Sequence, residues 1–249
     1  MSTKDYFTYN EGKDITNGAF RISASQVSKF FDSTSQWYHE NLLGEGGFTG
    51  STASNLGTVV HAGIEMYVTD GEVDYEALEA HINSLKDPEV DNNMPEVVEE
   101  FIFHEILPGI GAGGSIDARY VARRRLKDWK TTSAKTAPTK FSRNYWFQQM
   151  TYAWVLKQKG ITIDYIDLVY ITKGEVGRVS EKTGKPLKDY PSTLTVVTEE
   201  VTDSSLELIG SCLKIVAESV KAWNDQPELR HLLAQDSRVK AKAKPVLFK

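Results

Sequence analysis

The chain has one cysteine in 249 residues, Cys212. A lone thiol excludes an internal disulfide and a four-cysteine iron–sulfur cluster, and its place in an apolar helical stripe reads as core packing. No apolar run approaches the ~18 residues that a membrane-spanning helix needs. The polar stretch at residues 1–5 lacks the apolar segment of a secretory signal, so the expected location is cytoplasmic, with no membrane partner. Positive charge is also short: 29 Lys and Arg against 34 Asp and Glu give a net charge of −5. That balance argues against indiscriminate binding to polyanions. What is present is 40% hydrophobic residues, enough for a core, and the length suits a single domain over 1–249.

The charges are not spread evenly. Residues 70–105 carry twelve acids and one base, Lys86, whereas residues 119–143 carry nine bases and one acid, Asp128. A basic segment of this kind, with Arg119, Arg124, Arg125 and Lys135 in or beside it, is expected to place positive potential where a polyanionic substrate would lie.

Two short strands sit inside the basic segment. Ile116, Ala118 and Tyr120 alternate with Ser115, Asp117 and Arg119, the period of a half-buried strand. In the next strand Trp129 points one way while Asp128 and Lys130 point the other. A hairpin across Ala122 and Arg123 pairs residues whose numbers sum to 245, which sets Asp117 opposite Asp128, since 117 + 128 = 245. Opposed side chains have Cβ atoms about 4.5–5.5 Å apart, and like charges there repel unless a cation intervenes. Two carboxylates and the Lys130 ammonium on one surface can hold a divalent ion and a phosphate. No Gly or Asn in 121–124 enforces a particular turn.

Four motifs in series carry a resemblance. Gly57-Thr58-Val59-Val60-His61 precedes Gly114-Ser115-Ile116-Asp117; then come Asp128-Trp129-Lys130-Thr131 and Gln148-Gln149-Met150-Thr151-Tyr152. Together they resemble the PD-(D/E)xK nuclease superfamily, and within it the RecB-type exonuclease branch without its iron–sulfur cluster. The likeness covers residues 20–175 and is compatible with a viral source. It implies a restriction-endonuclease-like α/β core and a DNA exonuclease dependent on Mg2+ or Mn2+, acting in recombination, repair or replication. A structure-specific endonuclease and a non-catalytic single-stranded DNA-binding module on the same scaffold are the alternatives. The resemblance further implies Asp117, Asp128 and Lys130 as catalytic residues. The metal would be held by His61, Asp117, Asp128, the Trp129 carbonyl and a Glu at the position of Glu105, with Glu100 as the alternate. Gln148 and Tyr152 would contact substrate beside Arg119, Arg124, Arg125 and Lys135. DNA is the expected partner, with a single-strand annealing or recombination protein beside it.

The remaining pattern fills in an architecture. Residues 1–20 are expected to be irregular, followed by a packing helix over 26–31 capped by Ser25. A Gly/Ser-rich loop spans 44–54, and helices are expected at 57–69 and 75–85. Val97, Val98, Phe101 and Ile102 suggest a helix entered at Pro95, with 101–107 readable as helix or strand. A helix over 144–159 stopped by Gly160, strands over 163–172 and 192–201, a helix capped by Asp203 and a basic tail from Arg238 complete the chain. The expected fold is α/β, a central mixed sheet flanked by helices. A mainly helical part with the acidic insertion occupies 20–112, the catalytic sheet 113–200, and the C-terminal helix and tail 203–249.

Overall fold

In a computed structural model of the chain, which describes residues 18–43, 95–132, 137–172, 177–190 and 193–226, a mixed six-stranded sheet is flanked by four helices. The strands are β1 (Phe20–Ser23), β2 (Val97–Leu107), β3 (Ile110–Tyr120), β4 (Arg125–Thr132), β5 (Tyr165–Thr172) and β6 (Leu194–Glu200). The helices are α1 (Val27–Asp32), α2 (Thr34–Asn41), α3 (Arg143–Gln158) and α4 (Asp203–Asp225), and a 3-10 turn at Ala24–Gln26 leads into α1. Among the described residues no helix is long and apolar enough to cross a membrane.

The sheet is organised on β3. One edge of β3 is taken by β2, antiparallel from Val97↔Arg119 to Leu107↔Ile110. The other edge is divided. β1 runs parallel to Ile110–Gly113, and β4 runs antiparallel to Ala118–Tyr120. Between Gly113 and Ala118 no strand among the described residues occupies that second edge. β5 then pairs with β4 in parallel and β6 closes the order antiparallel to β5. Gly113 is required by the close packing of β2, because a Cβ there would overlap the Ile102 carbonyl oxygen.

Several elements differ from the expectation. β2 is an eleven-residue strand and not a helix. The spacing of Val97, Val98, Phe101 and Ile102 suits a helix, but these β-branched and aromatic residues find cross-strand partners along all of β3, and that pairing wins over local periodicity. Phe20–Ser23, inside or next to the stretch read as irregular, is a strand because β3 offers it a free edge. The cap of α4 is Thr202, whose hydroxyl accepts from Ser205 N while Ser205 Oγ accepts from Thr202 N; Asp203 instead pairs with Lys157 on α3. The 121–124 turn closes with Arg124 at φ 51°, the left-handed position that Gly or Asn would more often fill. Glu96 clamps it by accepting from Val121 N at 2.9 Å and Ala122 N at 3.3 Å, and Asp164 N donates to the Arg124 carbonyl at 2.7 Å.

The core lies between the sheet and the helices. α3 begins at Ser142, whose Oγ accepts from Tyr145 N, and stops at Gly160, with φ 77°. Leu206, Ile209, Leu213, Val216 and Val220 of α4 are buried, at the 3- and 4-residue spacing of one helical face. Phe30, Trp37 and Trp223 stack edge-on or tilted at ring distances of 5.5–6.4 Å, tying α1 and α2 to α4. Aromatic burial of ~150–250 Å2 per ring makes this cluster a main anchor of the helical layer. Ser28 of α1 donates to Asn144 Oδ1 at 2.8 Å and so fixes the first turn of α3, the helix that reaches the site.

Candidate active site

The G-S-I-D motif falls in the stretch of β3 between its pairings with β1 and β4. The β3–β4 ladder keeps the register in which numbers sum to 245, as Ala118↔Lys127, Arg119↔Leu126 and Tyr120↔Arg125, and then ends. Asp117 and Asp128, the next step, form no ladder pair. Instead Asp117 Oδ2 accepts from Trp129 N at 3.0 Å, so a carboxylate takes the place of a backbone carbonyl just where the two strands part. A strand residue directs its N–H and C=O to the same edge, so the Trp129 carbonyl also faces this gap. Its indole goes to the face opposite Asp128 and is buried.

Asp128 is 2% exposed and both of its oxygens are engaged. Oδ1 accepts from Gln149 Nε2 at 2.8 Å, and Oδ2 lies 2.6 Å from Lys130 Nζ. The Lys130 ammonium also sits over the Tyr145 ring, 5.1 Å from its centroid, and Tyr145 leans on Tyr170, the β5 neighbour of Lys130. Burial works against the charge on Lys130, but Asp128 and Asp117 outweigh it and hold the group above its ordinary range, with the bond to Asp128 and the nearby Tyr145 adding to the rise. Lys130 is therefore a cation at neutral pH.

Gln148 and Tyr152 meet as the i, i+4 spacing predicts, Gln148 Nε2 donating to Tyr152 Oη at 3.2 Å. Gly114 makes room for Tyr152: a Cβ there would stand 3.1 Å from its Oη and 3.2 Å from its Cε1. Burial pushes the Tyr152 phenol up to about 12; Asp128 and Asp117 raise it too, while Gln148 and Lys130 oppose the shift. The folded value exceeds the unfolded value of ~10, so the fold favours the neutral phenol. That contribution is complete below pH ~10 and disappears as pH rises toward ~12. Tyr152→Phe, with nothing to ionise, should lose roughly 2 kcal/mol less stability than the natural chain between pH ~9 and ~12. Urea midpoints across that range test this; parallel curves for the two proteins would refute it.

Other expected site residues lie elsewhere. Glu105 pairs with Gly111 and accepts from Gly109 N at the β2–β3 turn. Six positions of β3 separate it from Asp117, roughly 20 Å at ~3.3 Å per residue, so it is not a metal ligand. Glu100 is nearer, opposite Ile116, but its two oxygens accept from Arg119 at 2.7 and 3.0 Å. Arg119 is in turn buried and braces β2 against β3. Arg124 pairs with Asp164, and Arg125 forks onto both oxygens of Asp167 at 2.7 Å while stacking on Tyr165. Arg143 pairs with Asp32. The basic run is thus partly balanced by acids from distant segments, and Arg119, Arg124 and Arg125 are each paired with a carboxylate. His61 and Lys135 lie outside the described residues, as do the loop at 44–54, the helices expected over 57–85 and the tail.

Gln149 is the site residue that the sequence reading missed. The motif drew attention to Gln148, although Tyr145, Gln149, Tyr152 and Leu156 at spacings of 4, 3 and 4 make an equally good helical stripe. Tyr145 and Tyr170 were not assigned to the site either; Tyr145, in the first turn of α3, reaches both Lys130 on β4 and Tyr170 on β5.

No family model and no curated protein matches the chain. Among solved structures, a provisionally described exonuclease from Eubacterium rectale shares the fold, with a TM-score of 0.53 and 15% identity over 83% of this chain and 82% of that one. A weaker likeness, at TM-score 0.44 and 14% identity, covers 93% of this chain and 98% of LHK-Exo in its complex with dAMP. A phage-related exonuclease from Haemophilus somnus 129PT gives a TM-score of 0.38 and 10% identity, over 84% of this chain and 98% of that one.

Proposed function

We propose that this chain is a deoxyribonuclease of the PD-(D/E)xK type, an exonuclease of the RecB kind that hydrolyses phosphodiester bonds with Mg2+ or Mn2+. The observation that carries the reading is the meeting of Asp117, Asp128 and Lys130 where β3 and β4 part, with Lys130 at 2.6 Å from Asp128. The shared fold with the E. rectale protein adds the weight of analogy, since one fold hosts many activities.

The donor set suits a hard divalent cation. Two carboxylates and a backbone carbonyl offer oxygen ligands alone, and Mg2+ typically takes one or two carboxylates and completes its shell with water and substrate phosphate. Among the described residues no group of three His, Cys, Asp or Glu side chains stands together. Asp117, Asp128 and the Trp129 carbonyl would therefore hold the ion, with His61 as a further ligand on the strength of its motif. Bound there, the cation would supply an acidified water and neutralise phosphate charge. Lys130, held protonated, would stabilise the negative charge that develops on the phosphoryl oxygens. Tyr152, a neutral phenol braced by Gln148 in the space left by Gly114, would donate to the substrate backbone and position the scissile strand. Lys135 is proposed as a phosphate contact. Such an enzyme would act on DNA during recombination, repair or replication, beside a single-strand annealing or recombination protein. Its setting would be the cytoplasm of a cell or of a virus-infected host.

The test is one gel series with end-labelled single strands, blunt duplex and closed circular DNA, in Mg2+, Mn2+ or EDTA. Linear DNA should disappear with either metal, circles should persist, and EDTA should silence the reaction. Equal activity in EDTA would refute the site. Circles nicked as fast as linear DNA is degraded would mark a structure-specific endonuclease. Binding without cleavage would mark a single-stranded DNA-binding module.

A further inference from the structure

Gln149 is 1% exposed, on the face of α3 that buries Met150, Tyr152, Ala153 and Leu156 nearby. A primary amide is costly to bury without partners. Here its Nε2 donates to Asp128 Oδ1 at 2.8 Å. The two oxygens of Asp128 are therefore held by groups of different kinds. Oδ1 is held by a neutral amide fixed within a packed helix. Oδ2 faces the ammonium of Lys130, carried on a flexible four-carbon stem.

From this asymmetry we infer that Gln149 is a positioning residue: by anchoring Oδ1 it fixes the orientation in which Asp128 presents Oδ2 to a cation, and so sets a preference for Mg2+ over Ca2+. The inference rests on the metal-dependent reading above. Mg2+ demands a compact octahedral shell, whereas Ca2+ accepts six to eight oxygens and commonly takes both oxygens of one carboxylate. A carboxylate whose orientation is fixed by a buried hydrogen bond at Oδ1 cannot rotate to present both oxygens to one ion without straining that bond. Gln149 is distinct from Gln148, which carries the motif and bonds Tyr152 instead.

The experiment is calorimetric titration of the metal-free full-length chain with Mg2+ and separately with Ca2+, without nucleic acid. Gln149→Leu removes the donor, and Gln149→Met does so with a side chain closer in length. Mg2+ affinity should fall about tenfold or more, the usual effect of losing a hydrogen bond to a ligating carboxylate. Ca2+ affinity should fall much less or rise, so the Ca2+/Mg2+ affinity ratio should climb several-fold. General loosening of the site would lower both together and leave the ratio unchanged, which would overturn the inference. A variant too unstable without metal is read by melting temperature at equal concentrations of each ion; equal gains from Mg2+ and Ca2+ would likewise overturn it. Asp128→Asn separates the two levels. If the natural chain binds neither ion, or binds them undiminished in Asp128→Asn, the metal reading itself fails.

Discussion

Replacing Lys130 with Ala is expected to slow DNA cleavage by about two to three orders of magnitude, the usual effect of removing one donor to a developing oxyanion. Mg2+-dependent DNA binding should stay within a few-fold of the natural chain. Lys130 is not assigned as a metal ligand, and charge that develops only in the transition state is felt in rate and not in affinity. The structure adds a second consequence. Lys130 Nζ and Asp128 Oδ2 are 2.6 Å apart with side chains 17% and 3% exposed. Truncating the lysine strands a buried carboxylate, and breaking such a pair costs about 3–5 kcal/mol. Without metal the variant should melt roughly 6–20 °C lower, at ~2–4 °C per kcal/mol for a domain of this size. Mg2+ should restore more of that loss than it adds to the natural chain, because a cation replaces the missing counter-charge. Cleavage at the natural rate, or DNA binding lost in proportion to cleavage, would remove Lys130 from the chemistry. Equal melting shifts with and without Mg2+ would place the cation away from Asp128.

Asp117→Asn should be as damaging to activity and harmless to the fold. The Asn Oδ1 can still accept from Trp129 N, so the point where β4 leaves β3 is kept, while the charge offered to a metal is lost. Several kcal/mol of transition-state stabilisation depend on a catalytic cation, and each 1.36 kcal/mol is tenfold in rate. Cleavage is thus expected to drop by about three orders of magnitude, with weaker Mg2+ binding in the same titration. Asp117→Ala also takes the acceptor from Trp129 N and should cost a further ~1–3 kcal/mol of stability. The comparison of the two variants is the check: Asn inactive but melting like the natural chain, Ala inactive and less stable. Asn cleaving normally, or both variants melting alike, would contradict the double role given to this carboxylate.

Much of this was legible in the sequence, for local reasons. The alternation of apolar and polar residues over Ile116–Tyr120 and the two-residue period of a strand imply the register that the β3–β4 ladder adopts. The stripes of α3 and α4, and the stop at Gly160, follow from helical spacing and from a left-handed residue at a helix end. The triad of Asp117, Asp128 and Lys130 could be named because its members sit on adjacent strands of one hairpin. Gln148 and Tyr152 could be paired because one helical turn separates them.

The rest depended on partners far away in the chain. β2 carries helical spacing, and only the long edge of β3 makes it a strand. The basic run from Arg119 to Arg143 looks unbalanced along the sequence, yet Glu100, Asp164, Asp167 and Asp32 neutralise much of it across distances no local pattern records. The gap on β3 exists because β1 and β4 share one edge without meeting, and the choice of Gln149 over Gln148 as partner of Asp128 follows from how α3 crosses that gap. Periodicity and turn chemistry act over a few residues and are written in order along the chain. Charge partners, edge occupancy and the face a helix presents are set by which strands meet, and that is decided only when the sheet assembles.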